Sequence, residues 1–254
     1  MRSAQQKLVS LNPCLDAILV QVANPDQILA ISHYSHDEAS SSLPLSVARE
    51  YKAIGGTVEE ILALEPDMVL ASSFLAPSTS AAMRDLDLRF RTFSSPASVT
   101  QSLAQVRYVA KLAGQESAGN DLSGAITQSV KRHSARKYHQ PISAVLWQPG
   151  EIVPGEQTLI SELMRKAGFT SHSEAIGMGQ ADYLPLEVLL ANPPEVLLVA
   201  GTSRGQLHPS LQSIEGMRVE TLDPKLLYCG GPTIIAAMER LAEIRDSVHL
   251  ERAL

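Results

Sequence analysis

Val58-Glu59-Glu60-Ile61-Leu62-Ala63-Leu64-Glu65-Pro66-Asp67-Met68-Val69-Leu70-Ala71 is echoed in the second half of the chain by Leu186-Glu187-Val188-Leu189-Leu190-Ala191-Asn192-Pro193-Pro194-Glu195-Val196-Leu197-Leu198-Val199-Ala200. In both copies a Glu opens a short segment with apolar residues at helical spacing, a Pro stops it, an acidic residue follows and an apolar run comes next. Proline cannot continue a helix, and a short, wholly apolar run beyond it reads as a strand buried on both faces of a parallel sheet. Each strand then gives way to small polar residues, Ser72-Ser73 in one copy and Gly201-Thr202-Ser203 in the other. A pattern repeated at about half the chain length means two similar lobes.

The repeat reaches back to the start of each half. Lys7-Leu8-Val9-Ser10-Leu11-Asn12-Pro13 and Ile142-Ser143-Ala144-Val145-Leu146-Trp147-Gln148-Pro149-Gly150 are both strands ending in a polar-Pro turn. The expected fold is therefore α/β, with an N-terminal lobe over residues 7–113 and a C-terminal lobe over 141–250, each around a mainly parallel sheet. Between them, residues 98–113 read as a helix, Gly114-Gln115 interrupts it, and 116–138 reads as one long helix joining the lobes. At about 1.5 Å per residue the stretch 116–137 reaches roughly 33 Å, enough to connect two lobes stiffly.

Composition narrows the function. A net charge of −6 without a Lys/Arg-dense stripe excludes a nucleic-acid binder, because nothing is present to neutralise phosphates. No apolar stretch is long enough to span a bilayer, and residues 1–7 lack the apolar core of a secretory signal. A phosphate-binding G-x-x-x-x-G-K-[ST] loop is absent, and Gly177-Met178-Gly179 lacks the third glycine of a dinucleotide fingerprint. Ser10, His33 and Asp37 could be imagined as a triad, but no nucleophile-elbow motif supports an enzyme.

In parallel sheets ligands sit beyond the carboxyl ends of strands. The loops expected there carry Asn12, Cys14, His33, Tyr34, His36, Gly56, Ser73 and Phe74 in the first lobe. The second contributes Trp147, Gln148, Met178, Tyr183, Thr202, Arg204, Tyr228, Cys229 and Gly230. The chain has four Phe, six Tyr and one Trp, and five of these fall on or beside those loops, which suits a large flat ligand. His33, Tyr34 and His36 read either as ligand contacts, with Tyr or His able to hold iron axially, or as a hydrated surface turn. Gly230-Gly231 reads either as close backbone approach to a ligand or as a turn needing positive φ. Cys14 and Cys229 admit three readings: small buried residues, ligand-facing thiols or a disulfide. Placed on opposite lobes across a cleft they would stand too far apart for a bridge, so both are expected to be free.

The order of these pieces resembles the helical-backbone, class III substrate-binding proteins of ABC importers that carry cobalamin, haem or ferric siderophores. The likeness runs from Leu8 to about Val248 and is carried by Val9-Ser10-Leu11-Asn12-Pro13, Gly55-Gly56 before Val58-Glu59, Leu64-Glu65-Pro66-Asp67, Gly155-Glu156-Gln157-Thr158-Leu159-Ile160 with Ala167-Gly168-Phe169, and Leu186-Glu187 with Pro194-Glu195-Val196. The resemblance implies a periplasmic, monomeric protein without a catalytic function or resident cofactor, its own secretory signal not being part of this sequence. It also implies a metal chelate or corrinoid captured between the lobes, and a permease dimer with its ATPase as partner. Glu59 and Glu187, one per lobe, would meet arginines of the permease; without that partner they read as acids favoured at helix starts. Cys14 in the opening turn and the His-rich loop at 33–36 depart from the family pattern. The alternative is an enzyme or a non-transport binding protein on the same fold.

Overall fold

The computed structural model describes residues 5–136 and 140–253, which divide into two compact units, each with its own parallel sheet. In chain order the elements are β1 (Leu8–Ser10), α1 (Pro13–Val22), β2 (Ile28–Ser32), α2 (Leu45–Ala48), β3 (Ala53–Ile54), α3 (Val58–Leu62), β4 (Met68–Ser72), α4 (Pro77–Asp85), β5 (Phe90–Phe93), α5 (Val99–Leu112) and α6 (Glu116–His133). They continue with β6 (Ile142–Trp147), α7 (Leu159–Ala167), β7 (Phe169–Ser171), α8 (His172–Ala175), α9 (Leu186–Ala191), β8 (Val196–Val199), β9 (Arg218–Thr221) and α10 (Thr233–Arg252).

The first unit takes the chain through Pro96, then Thr100–Thr127 and Cys229–Thr233; the second takes Ala97–Val99, Gln128–Tyr228 and the chain from Ile234 onward. The five strands of the first sheet run in the order β3-β2-β1-β4-β5, and the four of the second in the order β7-β6-β8-β9, all parallel. Removing β3 leaves the same order in both, so the sequence repeat is a structural one: α3 and β4 correspond to α9 and β8. In each sheet the winding reverses direction at the central pair, β1 with β4 and β6 with β8. The two loops leaving such a pair diverge and open a crevice at the strand ends.

Why these residues fold this way is local. Asn12 caps α1 with its side-chain carbonyl, accepting from the amides of Cys14 and Leu15, and Pro13 takes the first helical position where a missing N–H costs nothing. Thr57 and Glu60 form a reciprocal capping box at the start of α3. Both central strands are buried on both faces and feed one core per unit. Val9, Ala30, Ile54, Ile61, Val69 and Met83 form the first, and Val145, Trp147, Val153, Leu184, Leu189, Leu197, Val199 and Leu211 form part of the second. Ile61 has no exposed surface, so truncating it to Ala costs about 2–5 kcal/mol and would unseat α3.

α5 lies where the sequence puts a helix. α6 is shorter than expected: it ends at His133, and the Ser134 hydroxyl closes its last turn on the Val130 carbonyl. Lys137 and Tyr138, the last residues of the expected helix, lie outside the described residues.

Candidate functional site

At the carboxyl end of the first sheet, the turn His33–His36 follows β2 and is fastened on three sides. His33 pairs through Nδ1 with the Ile54 carbonyl at 3.3 Å, and His36 through Nε2 with the Ala48 carbonyl at 2.9 Å. Beneath, one carboxylate oxygen of Asp16 accepts from the Ser32 amide at 3.0 Å and the Ser35 hydroxyl at 2.6 Å. Each imidazole thus spends a nitrogen on the backbone. Tyr34 stands out to solvent with its ring 4.1 Å from that of His33. Of the three candidate residues in this loop, Tyr34 is the one whose polar atom is not spent on holding the turn.

Asp16 is fully buried, and its second oxygen has no partner. Burial pushes its pKa up to about 7, against the opposing pull of the nearby Ser10 hydroxyl and of the hydrogen bonds from Ser35 and the Ser32 amide. It escaped the sequence reading because one acid in the first turn of an apolar helix looks like a helix-start residue.

The remaining first-unit candidates divide similarly. Asn12 is committed to capping α1. Gly56 has φ of +87°, in the left-handed region, with the Leu11 side chain against it. The Ser73 amide completes the sheet on the Phe93 carbonyl, and next to it Phe74 is 84% exposed. Glu59 is exposed in the first turn of α3, while its neighbour Glu60 is consumed by the cap, whose amides hold that carboxyl below its usual range.

Cys14 and Cys229 are not free thiols: they form a disulfide with Cα atoms 5.1 Å apart. The expectation failed because it placed Cys229 on the lobe opposite Cys14, whereas Cys229–Thr233 packs in the first unit. The neighbouring glycines are explained by the same packing. A Cβ on Gly230 would sit 2.5 Å from Ser102 Oγ, and one on Gly231 2.6 Å from Ile18, so the close approach is to the protein itself.

In the second unit Trp147 requires a correction. It has no exposed surface, lies in the core and donates its Nε1–H to the Leu184 carbonyl at 3.2 Å; its place at the last position of a strand put it at the strand end but facing inward. Met178 likewise packs on that core. Gln148 is half-buried, and its carbonyl accepts from Gln206, whose Nε2 also reaches the Trp147 carbonyl, both at 2.9 Å.

Unforeseen in the sequence is Glu151. It has φ of +64° at the tip of the hairpin closed by Gln148 and Ile152, and its carboxylate gathers the Ser203 hydroxyl at 2.7 Å, the Gly205 amide at 3.1 Å and the Tyr183 hydroxyl at 3.0 Å. Ser203, then Tyr183 and Gly205, hold its pKa below the usual carboxylate range, and the bond to Glu151 raises that of Tyr183. The signal was a lone acid just past the Pro149-Gly150 turn at a repeated strand end. Tyr183 and Tyr228 are 59% and 56% exposed, Thr202 and Arg204 are exposed, and Glu187 is exposed in the first turn of α9. Among the described residues no group of three or more His, Cys, Asp or Glu side chains could hold a metal ion, and no helix is long and apolar enough to cross a membrane.

Residues 8–216 match the family described as periplasmic binding protein. The uncharacterized ABC transporter substrate-binding lipoprotein YvrC of Bacillus subtilis is 20% identical over 96% of this chain and 81% of its own length. Among solved structures, the periplasmic heme-binding protein RhuT from Roseiflexus sp. RS-1 superposes with a TM-score of 0.76 at 20% identity, covering 95% of this chain and 98% of that one. The periplasmic vitamin B12 binding protein BtuF of Vibrio cholerae gives 0.72 at 17% identity, over 96% and 98%. At these identities the structural likenesses speak for the fold.

Proposed function

The chain belongs to the periplasmic binding protein family, and from that premise we propose that it is the substrate-binding protein of an ABC importer whose cargo is a metal chelate: haem, cobalamin or a ferric siderophore. The observation that carries the choice of cargo is the placement of exposed aromatics. Tyr34 and Phe74 stand on strand-end loops of the first unit, and Tyr183 and Tyr228 on loops of the second, although aromatic residues make up only 4% of the chain. Exposed rings of this size cost hydration unless they meet a ligand, and flat unsaturated chelates are what they suit.

The disulfide fits an oxidising compartment, which supports delivery outside the cytoplasm. Glu59 and Glu187, exposed at equivalent helix starts, are suited to meet permease arginines. Calorimetric titration with haemin, cyanocobalamin and a ferric catecholate tests the reading. Micromolar or tighter binding of one of them is expected, and no heat from any would overturn it. Turnover of the bound compound would instead favour an enzyme on this fold.

A further inference from the structure

The second unit contains one polar assembly that capping and core packing leave unexplained. Glu151 holds a left-handed backbone conformation, which a residue with a Cβ adopts only when its surroundings over-determine it. Its amide donates to the Gln148 carbonyl and its carbonyl accepts from the Leu184 amide, and its carboxylate adds the remaining anchors. One oxygen serves both the Ser203 hydroxyl and the Gly205 amide, and the other serves the Tyr183 hydroxyl. Three loops leaving β6, β8 and the stretch before α9 are thereby drawn to one point at the crevice end of the sheet. Gly205 is built for this contact, since a Cβ there would lie 2.4 Å from the Glu151 carboxylate. A second anchor lies below, where Gln206 accepts from the Ser203 amide and donates to the carbonyls of Trp147 and Gln148.

We propose that Glu151 is the positioning residue of the ligand surface of the second unit. It does not bind cargo; it fixes the ring of Tyr183 and the 202–205 segment, so that Tyr183, Thr202 and Arg204 are presented to the ligand already ordered. Pre-ordering removes the entropy that mobile loops would lose on binding, so the gain appears as affinity. Arg204 is exposed and makes no ion pair among the described residues, and it follows Ser203 in the segment that Glu151 fixes; together with the exposed ring of Tyr183 it points to a flat chelate bearing an anionic group. This rests on the chelate reading above.

The test is titration of the unmodified protein with haemin, which carries carboxylates, and with cyanocobalamin, followed by quenching of Trp147, the single tryptophan of the chain, which lies directly beneath the assembly. Glu151→Ala leaves three donors without an acceptor and should weaken the bound probe about tenfold while the melting temperature moves by only a few degrees. Glu151→Gln keeps one oxygen for Ser203 and Gly205 and should restore most of the loss. Ser203→Ala should weaken binding several-fold, and adding it to Glu151→Ala should cost nothing further, because the two act as one unit. If Glu151→Ala fails to fold, the Ser203→Ala and Glu151→Gln measurements decide. Wild-type affinity in Glu151→Ala or Ser203→Ala, or losses that add in full, overturns the inference alone. A wild-type protein that binds neither probe, nor the ferric catecholate, overturns the chelate reading and the inference with it.

Discussion

Cys14 in the second position of α1 and Cys229 ahead of α10 are bonded to each other across 215 positions of sequence, within one and the same unit. Residues on either side of Cys229–Thr233 belong to the other unit, so the bond fastens a five-residue excursion of the chain where it packs. The fastening is continued without sulfur: the Gly231 amide donates to the buried Ser102 hydroxyl at 2.7 Å.

Unreduced protein unfolded in denaturant should therefore contain no titratable thiol. Cross-linking residues so far apart removes much of the unfolded chain's freedom, and the Cys14→Ser/Cys229→Ser pair should lose about 2–4 kcal/mol. At roughly 2–4 °C per kcal/mol for a chain of this size, the first thermal transition should fall by about 5–15 °C. A full complement of two thiols in the unreduced protein would refute the pairing.

Packing around the excursion gives a second expectation. Gly231 has φ of +63° and no room for a methyl group, so Gly231→Ala combines left-handed strain with a clash and should cost about 2–4 kcal/mol. Ser102→Ala leaves the Gly231 amide buried without an acceptor, a loss of about 1–3 kcal/mol. Denaturant melts of the two variants check this, and a Gly231→Ala protein as stable as wild type would contradict the geometry.

The repeated helix-Pro-strand pattern was enough to foresee two similar lobes with mainly parallel sheets, since propensity, breaker and burial all agree there; the shared strand order came from the structure. Site residues were legible only as positions. Sequence places Trp147 at a strand end, but which face a strand's last residue points to depends on the phase of its pleat, and Trp147 turned inward. Cys229 defeated the reading because a segment far along the chain packs in the first unit, which no local pattern signals. Glu151 and Asp16 were missed because each gets its meaning from donors distant in sequence: Ser203 and Tyr183 for one, Ser32 and Ser35 for the other.

Trp147 offers a spectroscopic check of its inward placement. Its emission should be blue-shifted from that of free tryptophan and inaccessible to iodide in the unliganded protein. Trp147→Phe removes volume from the core and leaves the Leu184 carbonyl without its donor, at a cost of about 1–3 kcal/mol. Iodide quenching comparable to that of the unfolded chain would return Trp147 to the surface.

On the proposed transport role, the exposure of Glu59 and Glu187 sets the expected phenotype. Neither is the residue that caps its helix, so Glu59→Ala/Glu187→Ala should leave melting temperature and ligand affinity unchanged. Uptake through a reconstituted permease should drop sharply, because two charge-assisted contacts are lost together. Unimpaired uptake by the double variant, or a loss of ligand affinity, would contradict docking through these residues.

The last expectation concerns Asp16 and acidity. Its pKa stands at about 7 in the folded protein against 3.8 for an unburied aspartate, so between those values the native state holds a proton that the unfolded chain has released. Stability therefore decreases as pH rises from about 4 to about 7 on account of this group and is level beyond. Asp16→Asn keeps an oxygen to accept from Ser32 and Ser35, places an amide nitrogen where the orphan oxygen stood, beside the equally buried Ser10, and has no charge to desolvate. Relative to wild type it should thus be near neutral at pH 4 and more stable at pH 8. Each tenfold change in proton affinity is worth about 1.4 kcal/mol, which caps the gain at roughly 4 kcal/mol. The quantity to measure is the difference between the two proteins across that range, in which every other titrating group cancels. A difference independent of pH would mean that Asp16 titrates alike in the folded and unfolded chain, and that its burial carries no electrostatic cost.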